Sequence, residues 1–173
     1  MKKIIFMIAC CLMVTAQSII AQSNYTGKVF LQHDGNITAT FGGDEIDKAI
    51  EAAVDGDILY LSKGNFNSNF TINKSISLIG SGAEAGSDSQ RSTYFEWNGS
   101  PRINGGDGKV LSAVTIEGIY SAPGFYVEGQ IENIDFKKCY FNNTLGISNN
   151  NSNGYTKKVV VDRCHLSSIS TNG

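Results

Sequence analysis

Residues Ala49 to Gly82 read AIEAAVDGDILYLSKGNFNSNFTINKSISLIGSG. The first few have the spacing of a short amphipathic helix, and the rest have the spacing of a chain wound into coils. Counting from Leu59 as zero, apolar or small residues fall at Leu59, Leu61, Gly64, Phe66, Phe70 and Ile72, offsets 0, 2, 5, 7, 11 and 13. Three runs of two-residue alternation separated by turns predict three short strands that face one core.

The pattern returns downstream. From Val114 it gives Val114, Ile116, Ile119, Ser121, Phe125 and Val127; from Ile134 it gives Ile134, Phe136, Cys139, Phe141, Leu145 and Ile147. From Ile76 it catches Ile76, Leu78, Ser81 and Ala83, and from Val159 it catches Val159, Val161, Cys164 and Leu166. The five starts lie 17, 38, 20 and 25 residues apart. Strands this short cannot bury a face alone, so a repeat of about 20 residues predicts a solenoid whose coils cover one another. The 38-residue interval is either one coil with a long excursion or two coils, with Phe95 and Trp97 as the missing pair.

GDILYLSKGNF followed by INKSISLIGSG resembles the N-terminal coils of right-handed parallel β-helix proteins of the pectin-lyase-like superfamily. The later I-x-F-x-x-C-x-F and V-x-V-x-x-C-x-L coils fit the same pattern, so the resemblance runs from about Asp44 to Leu166. It implies an all-β chain: a right-handed parallel β-helix solenoid of about five coils with a short N-terminal capping helix. It implies less about activity, because the superfamily spans polysaccharide lyases, hydrolases, pectin esterases, tailspikes and adhesins. The sequence carries no three-carboxylate cluster like that of polygalacturonases and no Asp pair with a downstream Arg like that of pectin methylesterases. Nor does it carry a carboxylate cluster suited to the calcium site of the lyases.

Met1 to Ala21 begins with Lys2 and Lys3 and continues with an apolar run from Ile4 to Val14. This is the layout of a secretory signal peptide, with cleavage after Ala21 and Cys10 and Cys11 as ordinary residues of its core. The run is too short to span a bilayer, so no membrane span is expected. The mature chain is expected to be secreted, or to lie at the cell surface or in the periplasm. Loss of Lys2 and Lys3 leaves 12 basic against 16 acidic residues, a net charge of −4. Nucleic acid is a poor partner for that balance, since phosphate contacts need a basic face.

Residues 22–43 hold two short strands, around Lys28–Leu31 and Thr38–Phe41, and residues 44–173 form the β-helix domain. Within it a capping helix is expected over 44–54, with Asp44 as N-cap, Asp47 on the helix dipole and Gly56 as the stop, and coils start from 57. Ile46, Ala49, Ile50, Ala53 and Val54 share its apolar face, which is expected to cover the open edge of the first coil. Gly86–Ser89 and Gly105–Gly108 could offer oxygens to calcium but lack alternating acidic ligands, and a solvated turn is expected at each. From Val159 the inward offsets of a third strand fall on Ser170 and Asn172, so the last coil is expected to be incomplete, with further chain or a partner chain covering it.

Candidate functional residues come from stacking, since equal offsets in successive coils lie about 4.8 Å apart. One outward column holds Tyr120, Tyr140 and His165; the next two hold Glu117, Lys137 and Asp162, then Gly118, Lys138 and Arg163. Tyr120, Tyr140 and His165 form either an aromatic platform for sugar rings or a ladder that ties coils together. Lys138 and Arg163, with Lys157 and Lys158, form either a patch for an anionic glycan or solvated charges balanced by Glu132, Asp135 and Asp162. In a lyase, Lys138, Arg163 or His165 would serve as the base. Cys139 and Cys164 point inward on adjacent coils and are expected to form a buried thiol ladder, with a disulfide as the alternative. His33 and His165 are too far apart in the chain for a metal site or a Ser-His-Asp triad to be expected. The expected function is an exported scaffold that binds extracellular polysaccharide without catalysis or cofactor; the alternatives are a polyuronate lyase and a purely structural adhesin or stalk segment.

Overall fold

A computed structural model describes residues 24–83, 92–148 and 155–172. The signal segment 1–21, the candidate calcium loop Gly86–Ser89 and the polar loop 149–154 lie outside the described residues.

The chain opens with an antiparallel hairpin, β1 (Lys28–His33) and β2 (Asn36–Gly42), turned at Asp34 and Gly35, which both take positive φ. Helix α1 (Ile46–Ala52) follows and buries Ile46, Ala49 and Ile50. Its N-cap is Glu45 rather than Asp44: the Glu45 carboxylate reaches back to accept the Gly42 N–H at 3.1 Å. Asp47 does stand in the first turn. Gly56, with φ 99°, serves a turn closed by the Asp57 N–H on the Val54 carbonyl rather than the helix stop itself.

The first coil is β3 (Ile58–Leu61), β4 (Gly64–Phe66) and β5 (Thr71–Ile72). The second is β6 (Ser77–Ile79), β7 (Thr93–Phe95) and β8 (Arg102–Ile103), with a short β9 (Val110–Leu111) before the third. That coil is β10 (Val114–Glu117), β11 (Ile119–Ser121) and β12 (Phe125–Glu128). Longer strands then carry the winding: β13 (Gln130–Lys137), β14 (Tyr140–Ser148), β15 (Tyr155–Asp162) and β16 (His165–Asn172). One sheet runs β15-β13-β10-β6-β3, all parallel, and is closed at its first-coil edge by β1 and β2; the other runs β4-β7-β11-β14-β12-β8-β5, with β16 on β14. The result is a β-solenoid of about three turns with five parallel rungs in its longest run. The edge of the first coil is therefore covered by the antiparallel pairing of β1 with β3, while the helix packs against β1, β2 and β5.

Three registers differ from the expected ones. Leu59 stands opposite Leu78 rather than Ile76, because Leu59 and Gly64 are five residues apart whereas Ile116 and Ile119, which occupy the same rung positions, are three apart. The 38-residue interval is one coil. Thr93 and Phe95, not Ser81 and Ala83, take the rung beside Ile119 and Ser121. Phe95 is fully buried there and Trp97 is exposed. The last coil does have a third strand: β16 slips by one residue against β14 and places Ile169 opposite Leu145. Inward residues form one core, in which Phe125, Phe136 and Phe141 meet edge to face at 5.4–5.8 Å, while Val161 on β15 and Ile169 on β16 are exposed.

Candidate functional site

The corner between the two sheets is built from left-handed residues. Gly118, Lys138 and Arg163 stack there with φ of 65°, 51° and 52°. Glycine takes this conformation freely, whereas Lys and Arg bear a cost of about 1 kcal/mol each. The backbone turns away at that point and leaves an open cleft of about 440 Å³, lined by Glu117, Lys138, Tyr140, Arg163, His165 and the 80–83 turn. Four of the residues expected at a site, Lys138, Arg163, Tyr140 and His165, are thus brought together.

The charges within this cleft and beside it are paired. Lys138 Nζ donates to Glu117 Oε1 at 2.7 Å, and Arg163 NH2 donates to Asp162 Oδ2 at 2.9 Å. Lys157 pairs with Glu132 at 2.7 Å and Lys137 with Asp135 at 2.9 Å. Glu117 and Asp162, which share a column with Lys137, bond to Lys138 and Arg163 of the next column, while Lys137 bonds to Asp135 on its own strand and Lys157 to Glu132 in the adjacent rung. There is consequently no free basic patch at Lys138, Arg163 and Lys157. The hydrogen bond to Asp162 raises Arg163 above the ordinary guanidinium value and lowers Asp162 below the ordinary carboxylate one. A guanidinium held in its charged form is a poor proton acceptor.

The aromatic column is a ladder, and it has a fourth member. Ring centroids of Tyr94 and Tyr120 lie 5.1 Å apart, of Tyr120 and Tyr140 4.8 Å, and of Tyr140 and His165 4.2 Å, with interplanar angles of 26°, 8° and 14°. Rings this close and this parallel cover one another's faces. A platform on which sugars lie face-on is therefore not available at Tyr120, which is only 5% exposed. Burial pushes the Tyr120 and Tyr94 hydroxyls above the usual phenol range. Tyr94 went unnoticed in the sequence because the excursion broke the count. A signal was present: Tyr94-Phe95, Tyr120-Ser121, Tyr140-Phe141 and His165-Leu166 are the same outward–inward pair.

Behind the cleft, Cys139 and Cys164 are free thiols stacked as expected for a ladder. The Cys139 N–H donates to Cys164 Sγ at 3.3 Å. A hydrogen bond from Cys139 lowers the Cys164 thiol to about 7, while burial pushes Cys139 well up.

The two histidines remain apart, but His33 meets a carboxylate that sequence spacing did not suggest. Its Nδ1 lies 2.7 Å from Asp57 Oδ1, and the other oxygen of this buried Asp accepts the Val54 N–H at 2.8 Å. The contact ties the β1–β2 hairpin to the start of β3. Gly105–Gly108 is a tight turn, with positive φ at Gly106 and Gly108. Among the described residues, no group of three His, Cys, Asp or Glu side chains could hold a metal ion. No helix among them is long and apolar enough to cross a membrane. Compared with known proteins, the chain matches no family model, no curated protein and no solved structure.

Proposed function

We propose that the chain is an exported β-helix scaffold that binds extracellular carbohydrate at the corner cleft and performs no catalysis there. One observation carries this: Glu117, Lys138, Tyr140, Arg163 and His165 line a single cleft across successive coils. Donors and acceptors share the cleft, with the Lys138 and Arg163 charges already paired to Glu117 and Asp162. A polyhydroxylated chain, whose every hydroxyl both donates and accepts, complements such a surface better than a purely anionic one does. The resemblance of the coil motifs to pectin-lyase-like proteins supports the same ligand class, and the signal-like segment Met1–Ala21 supports export to the surface, periplasm or medium.

Binding is tested by titrating the mature chain, Gln22 to Gly173, with neutral and anionic polysaccharides. The informative variant is Lys138→Gly/Arg163→Gly, which keeps the corner backbone as Gly118 does in the coil above. Saturable binding lost in this variant supports the proposal. Absence of binding by a folded chain overturns it in favour of a structural stalk segment, and release of unsaturated uronides overturns it in favour of a lyase.

A further inference from the structure

The two ends of the solenoid are unlike. At the first coil, β1 and β2 extend the sheet beyond β3 and α1 packs against β1, β2 and β5. At the other end β13 holds one edge of β15, and among the described residues no strand pairs with its outer edge. Val161 on β15 is 38% exposed and Ile169 on β16 is 53% exposed, although their rung neighbours Phe136 and Leu145 are fully buried. A strand edge with free peptide groups and apolar side chains beside it is a template for another strand.

The sequence of β15 decides how a strand can sit there. Val159 and Val161 stand opposite Ile134 and Phe136 and point inward, whereas Lys158, Val160 and Asp162 stand opposite Asn133, Asp135 and Lys137 and point outward. The Asp162 carbonyl accepts the Lys138 N–H at 2.9 Å, so the peptide groups of Asp162 are turned toward the preceding rung. Alternate residues of a strand bond to opposite sides, which leaves the N–H and C=O of Val159 and Val161 facing the free edge. A two-fold axis through Val160 makes this edge complementary to itself. Antiparallel copies then set Val159 opposite Val161 on the inward face, bonded through both peptide groups, and Lys158 opposite Asp162 on the outward face. A slip of two residues either way keeps the faces and loses the charge pair. Among the described residues Lys158 has no ion pair, so its charge is free for this contact. Lys157 and Arg163, further along, are each held by a carboxylate of their own chain. A copy stacked head to tail would instead bring the first-coil end, where α1 exposes Asp47, Lys48 and Glu51, against Val161 and Ile169.

We propose that the β15 end is an interface for a second copy of this chain, joined about a two-fold axis at Val160 so that one sheet runs unbroken through both copies. Covering Val161 and Ile169 supplies the apolar part, and the two Lys158–Asp162 contacts fix the register. Such a contact uses the same edge of both copies and closes at two, whereas head-to-tail stacking would continue without limit. The interface does not depend on what the corner cleft holds.

The test is sedimentation equilibrium of the mature chain, Gln22 to Gly173. The chain is expected to pass from monomer to dimer in the micromolar range and to go no further. Lys158→Asp and Asp162→Lys each set like charges opposite one another across the axis. Each alone is expected to weaken the dimer about tenfold, as two attractive cross-strand pairs become repulsive. An equimolar mixture of the two variants restores opposite charges at both contacts, and is expected to associate within about threefold of the unaltered chain. Alkylation of Cys164, which stands at the same end of the core, is expected to slow as the dimer forms. A chain that stays monomeric at every concentration overturns the proposal, and so does growth beyond two copies. A mixture that associates no better than either variant alone overturns it too, as does a dimer in which Cys164 reacts as fast as in the monomer.

Discussion

Tyr120 and Tyr126 sit six residues apart in one coil, both pointing outward, and the molecule uses them in opposite ways. Tyr120 has aromatic rings above and below it and is 5% exposed. Tyr126 has Arg102 on one side and Gly146 on the other, and its ring lines a cleft. In a solenoid the neighbour that matters is the residue at the same offset one coil away, about 4.8 Å distant. Like beside like turns an aromatic column into a structural ladder. A glycine beside the ring lets it lie down on the sheet instead, with Arg102 over it.

The sharpest way to break this contrast is to remove each ring in turn. Tyr120→Ala leaves a gap between two stacked partners and loses two ring contacts together with the burial of the side chain. It is expected to cost about 3 kcal/mol in urea unfolding. Tyr126→Ala removes a half-buried ring from a cleft and is expected to cost about 1 kcal/mol. Equal losses for the two would show that Tyr126 is also a structural ring.

The cysteines extend the contrast to the inward side. Cys139 is buried between rungs, whereas Cys164 is only partly buried and has a thiol held near 7 by Cys139. Thiolate is the reactive form, so alkylation of native protein by iodoacetamide is expected at Cys164 at least tenfold faster than at Cys139, rising as pH increases through about 7. Peptide mapping after brief labelling distinguishes the sites. Equal labelling would mean that the last coil opens faster than the reagent attacks.

A smaller effect is expected from refilling the floor beneath Tyr126. Gly146→Ala places a methyl group 2.6 Å from the ring, and the ring can swing outward to relieve it. The expected cost is under about 1 kcal/mol, because relief is cheap at a surface where it would not be in a core. A larger loss in a thermal melt would show the ring to be locked rather than laid down.

These contrasts mark what the chain makes legible. The period-2 strands placed the rungs from Val114 to Leu166 in their true register, and with it the stack of Tyr120, Tyr140 and His165. Register was lost at the first corner and in the long interval between β6 and β7, since both alter the spacing between strands without altering the strands themselves. The corner residues Lys138 and Arg163 were found as neighbours, but their partners were not. An ion pair is settled by side-chain reach between columns, which spacing alone does not encode. The Tyr126 cleft was invisible for a related reason: its distinguishing residue, Gly146, contributes no side chain, and its meaning appears only once the rung beside it is known.

The smallest expected effect concerns the contact between His33 and Asp57, which ties the hairpin to the first coil as the ladder ties coil to coil. The Asp57 hydrogen bond, helped by Asp34, raises the His33 pKa in the folded protein. A raised histidine stabilises most below its unfolded value of about 6.5, and that contribution disappears as pH rises through the folded value. The effect is small for a structural reason. The imidazole is half exposed, and once neutral it can keep Nδ1–H on Asp57, so deprotonation removes the charge and leaves the hydrogen bond in place. Urea midpoints measured between pH 5.5 and 8.5 are therefore expected to fall slightly more for the unaltered chain than for His33→Asn. If the two profiles run parallel, the pair joins the hairpin to β3 by geometry alone, and charge has no share in holding that end of the solenoid.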